Sequence, residues 1–221
     1  MANFGLITEG ITDQIVIENI LSGFFDDPDI VINPIQPLRD ETDRTRTANS
    51  GGWTLVFEHC KSDKFKEAFS FNDYIIIQID TDTCDDVGYE INKNEVGTGR
   101  EYSPEELVEK VCQKLQELIG TDFYNDFSER IIFAIAVHTI ECWLLPLYYD
   151  DVNKSRFKGC LGKLNRALTG REGFTISAKN PEYYDRISRK YLKKKTLMSK
   201  YQDNPSLKVF IEELDQRRIQ N

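Results

Sequence analysis

Tyr74-Ile75-Ile76-Ile77-Gln78-Ile79-Asp80-Thr81-Asp82 is a run of β-branched residues that ends abruptly in acid. It is too short to span a membrane and too apolar to lie on a surface, so it reads as a strand buried on both faces, as in a parallel sheet. Residues i and i+2 of an extended segment point to the same side, so the spacing predicts that Asp80 and Asp82 face one point. Carboxylates at the end of such a strand stand where open α/β sheets hold their ligands. Two of them aimed together suit a hard divalent cation.

A second acidic end lies at the start of the chain. In Phe4-Gly5-Leu6-Ile7-Thr8-Glu9-Gly10-Ile11-Thr12-Asp13, an apolar run closes on Glu9. Gly10 allows a tight turn, and Asp13 falls in the first turn of the following helix, where negative charge is favoured. A third buried run, Ile131 to Val137, ends in His138, with Glu141 three residues on and Trp143-Leu144-Leu145 behind it.

Strand-Glu-Gly-x-x-Asp followed by strand-Asp-x-Asp resembles the Toprim fold of topoisomerases, primases and OLD-type nucleases. The Glu141-Cys142-Trp143-Leu144-Leu145 element and Gly51-Gly52-Trp53 are similar to those of small RloB- and OLD-type proteins found with bacterial phage-defence genes. The likeness runs from Phe4 to Leu147 and continues faintly through Asn204 to Phe210. It implies a nuclease that uses Mg2+ or Mn2+, with Glu9, Asp80 and Asp82 as metal ligands and Glu141 as a further catalytic carboxylate. Asp13, Asp86 and His138 would stand behind them. It also implies an ATPase partner, because OLD-type systems couple the Toprim unit to one and this chain has no Gly-Lys-Ser/Thr loop.

Alternation of strand and helix through Trp143 predicts a largely parallel sheet flanked by helices. Helices are expected over Asp13 to Phe25, Trp53 to Phe69 and from Ser103 to Leu118, the last opened by a Ser cap with Pro104, Glu105 and Glu106 behind it. Val31 to Pro37 reads as extended. Arg39 to Gly52 reads as a long polar loop in which Arg39, Arg44 and Arg46 could meet phosphates, and Gly51-Gly52 could open a helix toward an anion.

The net charge of −9 conceals a split. Residues 1–150 hold 11 Lys and Arg against 29 Asp and Glu, and residues 151–221 hold 17 against 8, giving −18 and +9. The first part is expected to be the α/β domain. The second is expected to be a basic helical extension on the same domain, over Lys154 to Leu168, Pro181 to Ser199 and Ser206 to Arg218. Arg186, Arg189, Lys190, Lys193, Lys194 and Lys195 form its densest basic stretch, a candidate contact for DNA or RNA phosphates. Tyr183, Tyr184 and Tyr191 could stack on bases, although such residues on one helix face more often pack inward.

Five cysteines, irregularly spaced and with no Cys-x-x-Cys pair, predict neither a disulfide framework nor a zinc site, and hence a reducing compartment. The N-terminus passes directly into the first strand, and no apolar run approaches about 18 residues, so no membrane association is expected and the cytoplasm is the expected location. His138 could move a proton near neutral pH, although a lone His at a strand end more often serves structure. Two functions are compatible with these features: a metal-dependent nuclease, and a non-catalytic module that binds nucleic acid, a phosphorylated ligand or a protein.

Overall fold

The computed structural model describes residues 2–39, 52–176 and 179–219. Arg44, Arg46 and Gly51 of the predicted polar loop therefore lie outside the described residues. Strands β1 (Asn3–Ile7), β2 (Val31–Gln36), β3 (Tyr74–Asp80) and β4 (Ile131–Ala136) form one sheet in the order β2-β1-β3-β4, with every neighbouring pair parallel. The protein is thus α/β with a parallel sheet, as the alternation of apolar runs and helical stripes predicts.

Strand alternation sorts the side chains into two layers. Phe4, Leu6, Ile76, Ile132, Ala134 and Ala136 turn to one face, and Ile7, Ile75, Ile77, Ile79, Phe133 and Ile135 to the other. Helix α1 (Ile11–Phe25) covers the first face. The second is covered by α2 (Trp53–Lys61), α3 (Asp63–Glu67), α4 (Pro104–Ile119) and α5 (Thr121–Phe127). The link from β1 to β2 therefore crosses one face and the link from β2 to β3 the other. This makes the carboxyl ends of β1 and β3 the switch point of the sheet, where α/β folds open a crevice.

The remaining helices are α6 (Glu141–Leu144), α7 (Cys160–Glu172), α8 (Pro181–Ser188), α9 (Lys194–Lys200) and α10 (Pro205–Gln216). They join α1 in a single apolar layer that includes Trp143, Leu164, Tyr184, Tyr191, Leu197 and Phe210. Beyond Ser188, the chain continues beside α1. Asn19 Nδ2 donates to Ser188 Oγ at 2.7 Å, and a Cβ on Gly23 would fall 1.8 Å from the Tyr191 carbonyl oxygen. Only glycine permits that approach.

Helix α10 closes the outer edge of β4. The Val137 amide donates to Ser206 Oγ at 3.2 Å, the Phe133 amide reaches the Glu213 carboxylate, and Trp143 stacks on Phe210 at 5.4 Å. The Val137 edge amide, which could pair with another strand, is thereby occupied.

Several boundaries differ from expectation for local reasons. Trp53 to Phe69 is broken at Ser62, whose backbone is extended and whose hydroxyl donates to the His59 carbonyl at 2.7 Å, ending α2. The helix expected from Lys154 starts at Cys160, after Gly159 in the left-handed region. Pro181 to Ser199 is divided at Lys193, again extended. Helix α4 has the predicted cap: the Glu106 amide donates to Ser103 Oγ and the Ser103 amide to Glu106 Oε2.

The cysteine reading is corrected at one pair. Cys142 and Cys160 form a disulfide, with Cα atoms 5.0 Å apart, because α7 begins against α6. Tertiary packing brings together two residues whose spacing carries no signature. Among the described residues, no helix is long and apolar enough to cross a membrane.

Candidate functional site

Glu9, two residues beyond β1, bridges to the end of β3. Its Oε1 accepts the Asp80 amide N–H at 2.7 Å, while its own amide donates to Gln78 Oε1 at 3.3 Å. Gln78 Nε2 in turn donates to Asp80 Oδ1 at 2.9 Å. Gln78 and Asp80 share a face by strand alternation, so the glutamine fixes one carboxylate oxygen and leaves the other unconstrained. The chemistry of Gln78 is legible in retrospect: a lone amide in an isoleucine strand must find partners when buried.

Asp13 lies in the first turn of α1 and is fully buried, yet neither of its carboxylate oxygens has a hydrogen-bond partner. The nearby amides of Asp13 itself and Gly10 act against that burial by lowering its pKa. A Cβ on Gly10 would come within 2.9 Å of Asp13 Oδ2 and would displace that carboxylate. Glu141 opens α6, is buried, and accepts a very short hydrogen bond from the Tyr184 hydroxyl of α8. Lys179, just ahead of α8, places Nζ 3.8 Å from Asp13 Oδ2 with its side chain about half exposed.

These groups form one electrostatic unit. Burial pushes Glu9 up to about 8, aided by Asp13 and Asp82 and opposed by the Asp80 amide and Lys179. Burial also raises Asp13 to about 6, with Lys179 pulling against it and Glu141 adding repulsion. Asp80 is held well above the ordinary carboxylate range by burial first, then by Glu9 and Asp13. Burial works against the Lys179 ammonium, but Asp13, Asp80, Glu141 and Glu9 more than reverse this and raise its pKa. Clusters of this kind are candidate functional sites because four repelling carboxylates are costly for the fold to retain.

Asp82 departs from the expected geometry. The strand ends at Asp80, and the amides of Thr81 and Asp82 both donate to the His138 carbonyl, at 2.9 and 3.0 Å. This turns the chain, so Asp82 lies exposed at the rim rather than beside Asp80, though within electrostatic reach of Glu9. Lys93 pins that turn by donating to the Asp82 carbonyl at 2.5 Å and to Asp85 Oδ1 at 2.6 Å.

His138 has φ of 62°, and its amide donates to Thr81 Oγ1 at 2.8 Å, so its backbone ties β4 to the acidic turn. Its imidazole lies on the rim side near Phe157, where burial and then Lys93 and Lys158 lower its pKa. Asp86 is exposed on the following turn, its carbonyl accepting from the Tyr89 and Glu90 amides. Among the described residues, no three His, Cys, Asp or Glu side chains are gathered closely enough to grip an ion as they stand. Lys179 and hydrogen bonds occupy the carboxylates instead.

The tail supplies two site residues that its basic composition does not announce, Lys179 and Tyr184. Tyr184 and Tyr191 are buried, and only Tyr183 is exposed, stacked on Phe174 at 5.1 Å. The base-stacking reading therefore does not hold for Tyr184 or Tyr191. Arg186 pairs with Glu172 at 3.1 Å, Arg189 with Asp185, and Lys190 lies 4.7 Å over the Tyr148 ring. Among the described residues, Lys193, Lys194 and Lys195 enter no ion pair and are exposed. Arg39, at the other side of α1, donates to Gln14 and Glu18.

No protein-family model, curated protein or solved structure matches this chain.

Proposed function

We propose that the protein is a Toprim-like, divalent-metal-dependent nuclease that hydrolyses phosphodiesters of DNA or RNA. The observation that carries the reading is the union of the β1 and β3 ends, Glu9 against the Asp80 amide, at the switch point of a parallel sheet, with the buried Asp13 carboxylate, which makes no hydrogen bond and faces Lys179, beside them. Orphaned buried oxygens of that kind fit a cation. Glu9, Asp13 and Asp80 would hold Mg2+ or Mn2+, with Asp82 at the mouth. The ion, when bound, would activate water and neutralise charge on the phosphorus oxygens.

The chain's own residues prepare for that chemistry. Gln78 orients Asp80, and Tyr184 fixes Glu141. Glu9, raised to about 8 by burial, would give up its proton as an ion binds, so metal binding would release a proton near neutral pH. The resemblance carries the reading further, to cytoplasmic phage defence beside a partner ATPase.

The test is direct: purified protein is incubated with single- and double-stranded DNA and RNA in Mn2+, in Mg2+ and in EDTA. Cleavage in either metal that stops in EDTA supports the assignment. Binding of metal and nucleic acid without turnover on any of the four substrates would favour the non-catalytic module.

Nucleic acid would lie along the tail side of α1. Lys193 follows Tyr191, which touches Gly23, ten residues beyond Asp13 on α1. At 1.5 Å per helical residue, the lysine run is therefore about 15 Å from the carboxylates. Replacing Lys193, Lys194 and Lys195 with Gln is expected to weaken binding across sequences and to flatten its salt dependence by roughly 0.9 in log–log slope for each duplex phosphate no longer neutralised. A salt titration of binding reads the result, and an unchanged slope would leave these lysines as solvated surface.

A further inference from the structure

We infer that Lys179 is a built-in cation that keeps the carboxylate cluster closed to a divalent ion until nucleic-acid phosphates draw its ammonium away from Asp13. The inference rests on the metal-dependent reading above and adds its regulation.

The contact with Asp13 is the starting point. Lys179 Nζ stands 3.8 Å from Asp13 Oδ2, within ion-pair reach of a carboxylate that is fully buried and has no hydrogen bond to either oxygen. No other cation pairs with Asp13 among the described residues. Asp80, Glu141 and Glu9 attract the same ammonium, so one positive charge serves the whole cluster. In this state no three acidic side chains are gathered about one point among the described residues, and the cluster is partnered by a lysine.

A divalent ion that takes an Asp13 oxygen cannot tolerate the ammonium beside it. Like charges a few ångströms apart in a partly buried site repel by enough to weaken binding more than tenfold. The ammonium therefore has to leave as the ion enters, and its attachment allows this. Its side chain is about half exposed, its ion pair is with Asp13 alone, and it makes no hydrogen bond among the described residues. A long aliphatic stem of that kind can carry its charge outward without emptying the core.

Outside the cluster, the ammonium needs another anion. Lys179 lies on the same tail as the exposed Lys193, Lys194 and Lys195, so a nucleic-acid backbone held by that run offers it phosphates in exchange for Asp13. Metal and nucleic acid then strengthen each other's binding, and this coupling is reciprocal. The free protein would resist the ion, and the complex would admit it.

The test reads binding rather than turnover. Mn2+ affinity of the full chain is measured at pH 8 and low salt by calorimetry, with and without a phosphorothioate oligonucleotide, single-stranded or duplex, that anisotropy shows to be bound. Uptake of the ion by the oligonucleotide alone is subtracted. Without the oligonucleotide, Lys179→Met and Lys179→Gln are expected to bind Mn2+ at least about tenfold more tightly than the wild type, and Lys179→Arg to resemble the wild type. The oligonucleotide is expected to tighten Mn2+ binding to the wild type by about tenfold or more, and to the two neutral variants much less. Unchanged affinity in the neutral variants overturns the inference, as does equal coupling in wild type and Lys179→Met. So does a wild-type affinity that the bound oligonucleotide leaves unaltered, a result that needs no variant to fold. These three outcomes leave the nuclease reading standing, whereas failure of every protein to bind Mn2+, or any oligonucleotide, overturns that reading and this inference with it.

Discussion

Asp80→Ala and Glu9→Ala are each expected to reduce metal-dependent cleavage by about a thousandfold or more, while nucleic-acid binding changes little. The size follows from what is removed: an ion that activates water and stabilises the transition state supplies several kcal/mol, and each 1.36 kcal/mol is tenfold in rate. Glu9→Ala also frees the Asp80 amide, so the two strand ends lose their direct bond. Asp13→Ala is expected to cost a comparable amount, because Asp13 is one of the three carboxylates that would hold the ion. Binding should persist because the lysine run lies about 15 Å away along α1. Initial rates on a labelled oligonucleotide, with binding measured in Ca2+, separate the two effects. Cleavage by Asp80→Ala at the wild-type rate would remove the site from the chemistry.

The second large effect concerns stability without metal. In EDTA at pH 8, Asp80→Asn is expected to melt above the wild type by about 2–12 °C. The amide keeps Oδ1 for Gln78 but removes one charge from a buried cluster. Relief of about 1–3 kcal/mol corresponds to that range for a chain of this size. Added Mn2+ should then stabilise the wild type, by about 2.7 kcal/mol at a hundredfold excess over Kd, and the variant much less. A variant that melts lower in EDTA would give Asp80 a structural role instead.

The same cluster sets a pH dependence of definite sign. Glu9 at about 8 and Asp13 at about 6 lie above the values they have in an unfolded chain, so the folded state binds more protons between those limits. Their contribution to stability is complete below about pH 4 and is lost as pH rises through 6 and then 8, by up to about 1.4 kcal/mol per pH unit per group. His59, lowered by burial, acts in the opposite direction below its ordinary range. Comparison with Glu9→Gln isolates the glutamate: between pH 6 and 8 in EDTA its melting temperature should fall less steeply than that of the wild type. Parallel curves would mean that Glu9 does not titrate in this window.

Much of this architecture is written locally. The β1, β3 and β4 runs, the α1 stripe and the Ser103 capping box each follow from spacing and residue chemistry, and together they specify a parallel α/β sheet. Glu9 and Asp80 are legible as strand-end acids, and Asp13 and Glu141 as acids opening the helices that follow β1 and β4, for the same reason. Asp82 is not, because alternation holds only while the strand lasts, and the His138 carbonyl turns the chain one residue earlier. Lys179, Tyr184 and the Cys142–Cys160 bond are invisible in sequence because each depends on where the tail folds back. A lysine in a basic segment looks like any other until its neighbours are known. The basic character of the tail thus conceals two tasks, an exposed lysine run at one end of α1 and a charge partner for the buried carboxylates at the other.

The closure of β4 by α10 has a consequence for how the chain matures during synthesis. Ile131 leaves the ribosome 74 residues ahead of Pro205, an interval of about 4–15 s at ordinary translation rates. Throughout that interval β4 can pair with β3, yet the Phe133 and Val137 amides on its far side have no Glu213 or Ser206 to receive them. The nascent sheet is then an open template, as prone to accept a strand from a neighbouring polysome as to wait for its own helix. A chaperone that shields the growing edge until α10 emerges is expected to raise the yield of correctly folded chains.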